Sequence, residues 1–358
     1  MALPNHGANA HHVYERLGIE MPEKIMDFSE NVNPLGPPAF VMERWSTYAE
    51  LITKYPDPAG EPFLSAAAKY HDVSVSNIIV GNGAAELFAS IAKRYENKRV
   101  VLIHPTFSEY AATLAPYHVY IKEIIAIGQL PLEEVFDEIE FAEAIYICRP
   151  NNPTGYLIPL EEIIQIVRYA KRYKCEVILD EAFLDFIDEK ESFIPYLKDF
   201  PNVVVVRSMT KMYAIPGLRL GYAVGSEAFI KDIRSRLSHW NSNAIATTIG
   251  ADCLQEEEYR IQAITFAKEM REGFSDFLEK WHCIVLPSTT NFLCFQLPDH
   301  ARSKAFFDYL LAKGCVLRHT ENFKGLDGKW FRVGMKEKAQ MEHLQREMTT
   351  WFEENLSS

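Results

Sequence analysis

An α/β fold with two domains is what this sequence predicts: a large domain built on a mostly parallel seven-stranded sheet, and a smaller α+β domain. Three observations carry that reading. From about residue 60 to 240, short apolar runs alternate with helical patterns, the rhythm of strands and crossover helices. From about 243 the rhythm changes to long helical periods separated by a few short strands. The length of 358 residues also exceeds what one small core accommodates.

Residues 1–45 read as irregular, because Pro and Asn recur there and the prolines within Asp27–Pro38 forbid a long helix. This segment is expected to join the small domain. The large domain is expected over 46–242. Its seven strands are the apolar runs Ile78–Val80, Val100–His104, Val119–Ile125, Ala144–Cys148, Glu176–Leu179, Val203–Val206 and Leu220–Val224. Helical patterns at 84–95 and 160–173 lie between them. In such sheets ligands collect outside the carboxyl ends of the strands. The small domain is expected over 243–358. Helical patterns cover 243–257 and 259–281, strands follow at Ile284–Leu286 and Asn291–Leu297, and a helix lies near 302–313. Strands near Cys315–Arg318 and Trp330–Val333 precede a final helix over 336–354.

Composition excludes several function classes. Apolar content of 48% and charged content of 24% are those of an ordinary globular protein. A net charge of −12 argues against nucleic acid and anionic membranes as partners, so an anionic substrate must be held by locally placed cations. The six cysteines form no C-x-x-C pair and sit mostly in apolar runs, as reduced core residues of a cytoplasmic protein do. The first residues lack the basic-then-apolar pattern of a signal peptide, and no apolar run approaches the ~20 residues of a membrane span.

The chemistry is concentrated around Lys211, in Ser208-Met209-Thr210-Lys211 after the run Val203–Val206. Arg219 follows eight residues later, Asp180 precedes by thirty-one, and Asn152 precedes Asp180 by twenty-eight. Each lies at or just past a strand end. One lysine, one carboxylate, one amide and one arginine so placed are what pyridoxal 5'-phosphate asks for. The lysine amine forms the Schiff base. The carboxylate keeps the pyridine nitrogen protonated, so that the ring is an electron sink. The amide donates to the ring oxygen, and the arginine grips the phosphate with two prongs.

Other segments read two ways. Gly81-Asn82-Gly83-Ala84-Ala85-Glu86 is either a tight βα turn or a phosphate cradle at a helix N-terminus. In Pro105-Thr106-Phe107-Ser108-Glu109-Tyr110 an aromatic either packs in the core or stacks on a cofactor ring. Asp180-Glu181 is a metal pair or a solvated turn, unless Asp180 serves in the set above; a nucleotide-binding reading fails for want of a G-x-x-x-x-G-K-[ST] loop. His6, His11 and His12 suggest a polar arm more than a metal site, since no carboxylate or cysteine stands at ligand spacing, and no metal is expected. Arg318 and Arg332 end strands of the small domain, where they are either solvated or clamp an anion.

Asn151-Asn152-Pro153-Thr154-Gly155, Asp180-Glu181-Ala182, Ser208-x-Thr210-Lys211 and Gly217-Leu218-Arg219-Leu220-Gly221, in this order, resemble the fold-type I pyridoxal-phosphate enzymes of the class I/II aminotransferase family, over nearly the whole chain. Two branches fit, histidinol-phosphate aminotransferases and the threonine-phosphate decarboxylases of cobalamin biosynthesis. His6-Gly7-Ala8-Asn9, Asp27–Gly36, Tyr55-Pro56-Asp57, Asp180–Phe186, Thr210–Tyr222 and Gly325-Leu326-Asp327 look more like the decarboxylases. Aminotransferases of the first branch usually carry a tyrosine where this chain has Phe183, which removes a donor to the ring oxygen.

The resemblance implies roles for matching positions. Lys211, Asp180 and Asn152 would be catalytic. Tyr110 would stack on the ring, and Ala84, Ala85, Ser208, Thr210 and Arg219 would hold the cofactor phosphate. Tyr55 would reach that phosphate from the other subunit of a homodimer with shared active sites. Arg332 would take the substrate carboxylate, and Arg318, His6 and Asn33 the substrate phosphate or the remaining contacts. The activity implied is decarboxylation of L-threonine O-3-phosphate, a small phosphorylated amino acid, to (R)-1-amino-2-propanol O-2-phosphate. Transamination of histidinol phosphate or a related amino acid is the alternative.

Overall fold

A computed structural model describes residues 3–356. The large sheet is built from β2 (Ile78–Gly81), β3 (Arg99–His104), β4 (Tyr120–Ile125), β5 (Ala144–Cys148), β6 (Glu176–Asp180), β7 (Val203–Ser208) and β8 (Gly221–Gly225), following a two-residue β1 (Met26–Asp27). Its order is β2-β8-β7-β6-β5-β3-β4. The pairs among β4, β3, β5, β6 and β7 are parallel, and β8 runs antiparallel to both of its neighbours. A seven-stranded, mostly parallel sheet is therefore what the apolar runs encode.

The runs form strands because both faces of the sheet are covered. Along β7, Val203 and Val205 enter one hydrophobic cluster with Ile163, Ile166 and Val167 of the helix Leu160–Arg172. Val204 and Val206 enter another, with Leu87, Phe88 and Ile91 of the helix Ala84–Ala92. A strand buried on both sides reads as an unbroken β-branched run, which is why it is conspicuous in the sequence.

A separate cluster gathers Phe295, Phe306, Phe331, Leu344 and Phe352, together with Val13, Tyr14 and Phe28 from the N-terminal segment. It covers a four-stranded sheet ordered β12-β13-β10-β9, where β9 is Ile284–Val285, β10 Phe292–Gln296, β12 Arg318–His319 and β13 Trp330–Gly334. Two expectations need correction here. The run Cys315–Arg318 is not one strand. Its first half, β11 (Cys315–Val316), pairs in parallel with β1, while Arg318 pairs with Arg332 in the other sheet. Residues 1–45 are not irregular throughout either, since His11–Leu17 and Ala39–Glu43 are helical. The first of these is fastened by Tyr14, whose hydroxyl donates to Leu311 O at 2.8 Å. Among the described residues no helix is long and apolar enough to cross a membrane.

Candidate active site

The carboxyl ends of β5, β6 and β7 open onto one cavity system. Asp180 is the last residue of β6 and Ser208 the last of β7. Asn152 lies four residues beyond β5, and Lys211 lies in the connection from β7 to β8. Arg219 closes that connection with a left-handed backbone, φ 58°. Its guanidinium rests on Gly83, where a Cβ would come within 2.7 Å of Nη2. Gly221 serves the same closeness from the other side, since a Cβ there would meet Ala84 N at 2.5 Å. Two glycines thus let the N-terminus of the helix Ala84–Ala92 meet β8 and Arg219. Ala84, Ala85, Ser208, Thr210 and Arg219 together line an inner cavity of about 100 Å³. Free helix N–H groups, two hydroxyls and a guanidinium make an anion cradle.

Lys211 points into this cradle. Its Nζ donates to Thr210 Oγ1 at 2.8 Å and Ser208 Oγ at 3.2 Å. Burial lowers its pKa to about 8, helped by Arg219 and opposed by Asp180. Asp180 is buried, and burial raises its pKa from the ordinary carboxylate value. It accepts the backbone N–H of Ala182 at 2.8 Å and the Tyr110 hydroxyl. Tyr110 therefore does not stand where the resemblance put it. The helix Glu109–Leu114 turns it inward behind Asp180, fully buried. Phe107, two residues before that helix, faces both parts of the cavity instead.

The outer cavity, of about 210 Å³, is rimmed by His6, Arg318 and Arg332. Arg332 donates from Nη1 to Asn152 Oδ1 at 2.5 Å and from Nη2 to Ser29 O at 2.6 Å. Its Nε has no partner among the described residues, and burial lowers its pKa to about 10. Arg318 lies over the Phe323 ring at 4.9 Å and donates to Asn5 O at 2.6 Å and Asn322 Oδ1 at 2.7 Å. Burial, then the nearby Arg332, brings its pKa to about 9, so both guanidiniums are cationic at neutral pH. His6 Nε2 is 2.9 Å from Glu109 Oε1, whereas His11 and His12 stay together on the N-terminal helix.

Asn33 does not join this rim. Its Nδ2 donates to Met212 O at 2.9 Å and its backbone N–H to Lys211 O at 3.0 Å, so it holds the lysine-bearing loop. Asn31 faces the cavity instead, only 8% exposed and with Oδ1 unpartnered. Nothing in Asn31-Val32-Asn33 distinguishes the two asparagines before the chain path is known. Phe183 lines both parts of the cavity and packs edge-on against Phe292. Tyr55 lies outside it, 83% exposed, with its ring 5.1 Å from that of Trp240.

Comparison with known proteins gives a consistent picture. The pattern of the family described as aminotransferase class I and II matches residues 23–347. A threonine-phosphate decarboxylase of Salmonella typhimurium is 34% identical, over 96% of each chain. The crystal structure of a histidinol-phosphate aminotransferase from Clostridium acetobutylicum superposes with a TM-score of 0.86 at 26% identity, covering 91% of this chain and 99% of that one. That of an L-threonine-O-3-phosphate decarboxylase from Porphyromonas gingivalis gives 0.79 at 25% identity, with the same coverage.

Proposed function

This chain belongs to the aminotransferase class I and II family, and from that premise we propose that it decarboxylates L-threonine O-3-phosphate to (R)-1-amino-2-propanol O-2-phosphate and CO2. At the coarser level it is an enzyme of the pyridoxal-phosphate-dependent aminotransferase and decarboxylase family, and its cofactor is pyridoxal 5'-phosphate. The residues fit that group. A buried lysine with its pKa brought to about 8 is a nucleophile near neutral pH. A buried carboxylate suits a ring N–H, and the cradle against Gly83 suits a phosphate. When bound, the cofactor supplies an aldehyde for amines and a protonated ring that takes up the electrons of a breaking bond at Cα.

The residues of this chain do the rest. Asp180 would hold the proton of the ring nitrogen, and its carboxylate is itself fixed by Ala182 and Tyr110. Arg332 occupies Asn152 Oδ1, which leaves the Asn152 Nδ2 to donate to the ring oxygen. Phe107, which lines both parts of the cavity, would cover a ring face in the role first given to Tyr110. Lys211, in its neutral form, would take a proton from the incoming substrate ammonium and deliver it to Cα in place of CO2. The residues around the outer cavity would have to hold the substrate so that its carboxylate, and not its Cα–H, is the group placed for cleavage.

The observation that carries the decarboxylase reading is the pair of buried guanidiniums, Arg332 beside Asn152 and Arg318 farther out beside the arm that holds His6. Two separate anion anchors fix rotation about the substrate's Cα. Arg332 takes the carboxylate, and Arg318, His6 and Asn31 take the phosphate. A relative 34% identical over 96% of each chain is named for this reaction. The aminotransferase reading has its own support in the higher TM-score of the Clostridium structure.

Side-by-side kinetics decide. Phosphothreonine should release CO2 with no keto acid present, threonine should be a poor substrate, and Arg318→Ala should impair phosphothreonine far more than threonine. Glutamate formed from histidinol phosphate and α-ketoglutarate, without CO2 from phosphothreonine, would move the assignment to the aminotransferases. The assembly that goes with this reading is a homodimer in which Tyr55 reaches the partner's cofactor phosphate.

A further inference from the structure

We propose that Trp240 is a positioning residue for Tyr55, holding the Tyr55 ring so that its hydroxyl reaches the anion cradle of a second copy of this chain. The proposal rests on the reading that Tyr55 acts across a homodimer.

A tyrosine that is 83% exposed has few neighbours to select its rotamer. Tyr55 has one evident support, the Trp240 ring, 5.1 Å away and tilted by 38°. An aromatic pair that served only the core would be buried, but Trp240 is itself 51% exposed. Its backbone has φ 56°, a region that a bulky side chain rarely adopts. Such a conformation persists where the surroundings over-determine it. Here the two asparagines that follow it in the chain do so. Asn241 donates from Nδ2 to Val80 O at 3.2 Å and to Glu86 Oε2 at 2.7 Å. The same carboxylate oxygen accepts the Asn82 N–H at 2.7 Å. Asn243 caps the helix Ala244–Cys253 through the Ala246 N–H and donates to Leu218 O at 3.0 Å.

The strained tryptophan is thus pinned to the two segments that build the cradle, the turn from Gly81 to Glu86 and the loop ending at Arg219. Its ring is nevertheless turned outward and carries a tyrosine that lines neither cavity of its own chain. The chain leading to Tyr55 also exposes Met42 and Ile52, apolar surface that a second copy would cover. One rigid unit therefore both forms a chain's own cradle and aims Tyr55 away from it. That arrangement registers two cradles against each other across a two-fold axis.

A double-mutant cycle on cofactor affinity tests this. Apoenzymes of the wild type, Trp240→Leu, Tyr55→Phe and the double variant are titrated with pyridoxal 5'-phosphate, and sedimentation velocity follows their assembly. Tyr55→Phe should raise the Kd about tenfold. Trp240→Leu should raise it about fivefold. The double variant should be no weaker than Tyr55→Phe alone, and Trp240→Phe, which keeps a ring face, should recover most of the loss. Multiplying effects, or an unchanged Kd in Trp240→Leu while Tyr55→Phe is weakened, would overturn the proposal and leave Tyr55 in place. Dissociation of the Trp240→Leu dimer would also overturn it, because Trp240 would then be interface and not support. An unchanged Kd in Tyr55→Phe would remove the cross-subunit reading itself, and this inference with it.

Discussion

Replacing Lys211 by alanine should abolish both turnover and the borohydride-reducible attachment of the cofactor, since among the described residues no other lysine lines that cavity. A reducible link surviving at the active site of the variant would show the assignment to be wrong. The lysine also sets a pH dependence. Only its neutral form attacks an aldehyde, and its pKa is brought from 10.5 to about 8 by burial and Arg219. Cofactor capture by the apoenzyme should therefore accelerate as pH rises through about 8 and level off above it. A rapid-mixing profile that climbs only near the ordinary lysine value would contradict the burial argument. Asp180→Asn should retain the cofactor but lower kcat by about a hundredfold or more, because an amide cannot hold the ring nitrogen protonated. Bound-cofactor absorbance and steady-state rates on the same preparation separate the two effects, and a near-normal kcat would remove Asp180 from its role.

At the scale of elements, what the sequence discloses follows from which interactions are local. The parallel strands are legible because Val203–Ser208 and its neighbours are buried on both faces and so are apolar at every position. The helix His11–Leu17 is not legible because it has seven residues and no side-chain cap, and it is held by tertiary contacts such as Tyr14 to Leu311. The candidate set is legible because Asn152, Asp180 and Lys211 lie at or just past the ends of such strands, although Arg219, placed with them, stands instead just before β8. The facing of single residues is not. Whether Phe107 or Tyr110 meets the cofactor depends on where the helix Glu109–Leu114 begins, and whether Asn31 or Asn33 meets the substrate depends on the path of the N-terminal arm. That arm is tied down by residues more than three hundred positions away, with His319 and Arg318 bonded to the carbonyls of Pro4 and Asn5. His319 donates from Nε2 to Pro4 O and accepts at Nδ1 from the Glu321 N–H, so it is the neutral tautomer. Burial, with Arg318 adding to it, lowers its pKa from 6.5 to about 4. The unfolded chain takes up a proton between these values and the folded one does not, so this contribution is complete above pH 6.5 and is lost as pH falls toward 4. Acid should therefore lower the Tm of the wild type more steeply across pH 6.5 to 4 than that of His319→Gln, whose amide can still donate to Pro4. Identical slopes in scanning calorimetry would show that His319 is not protected from protonation.

On the scale of the whole molecule, the single chain builds a complete lysine and carboxylate centre yet leaves Tyr55 on its surface. If two chains share their sites, complementation follows from geometry alone. A Tyr55→Phe subunit carries Lys211 but offers its partner no hydroxyl. A Lys211→Ala subunit offers the hydroxyl but has no amine of its own. In a heterodimer of the two, one site receives Lys211 from the first chain and Tyr55 from the second, and is wild type. The other site lacks both. The Tyr55→Phe homodimer should bind the cofactor more weakly by about 1.5–3 kcal/mol, the loss of one charge-assisted hydrogen bond. Mixing with Lys211→Ala subunits should therefore restore a class of tight sites, amounting to one per heterodimer, that can be reduced onto Lys211 with borohydride. Titration of the mixture at cofactor concentrations between the two affinities would count them. If mixing restores none, although the subunits demonstrably exchange, Tyr55 acts within its own chain or takes no part. The exposed face it shares with Trp240 would then need another explanation.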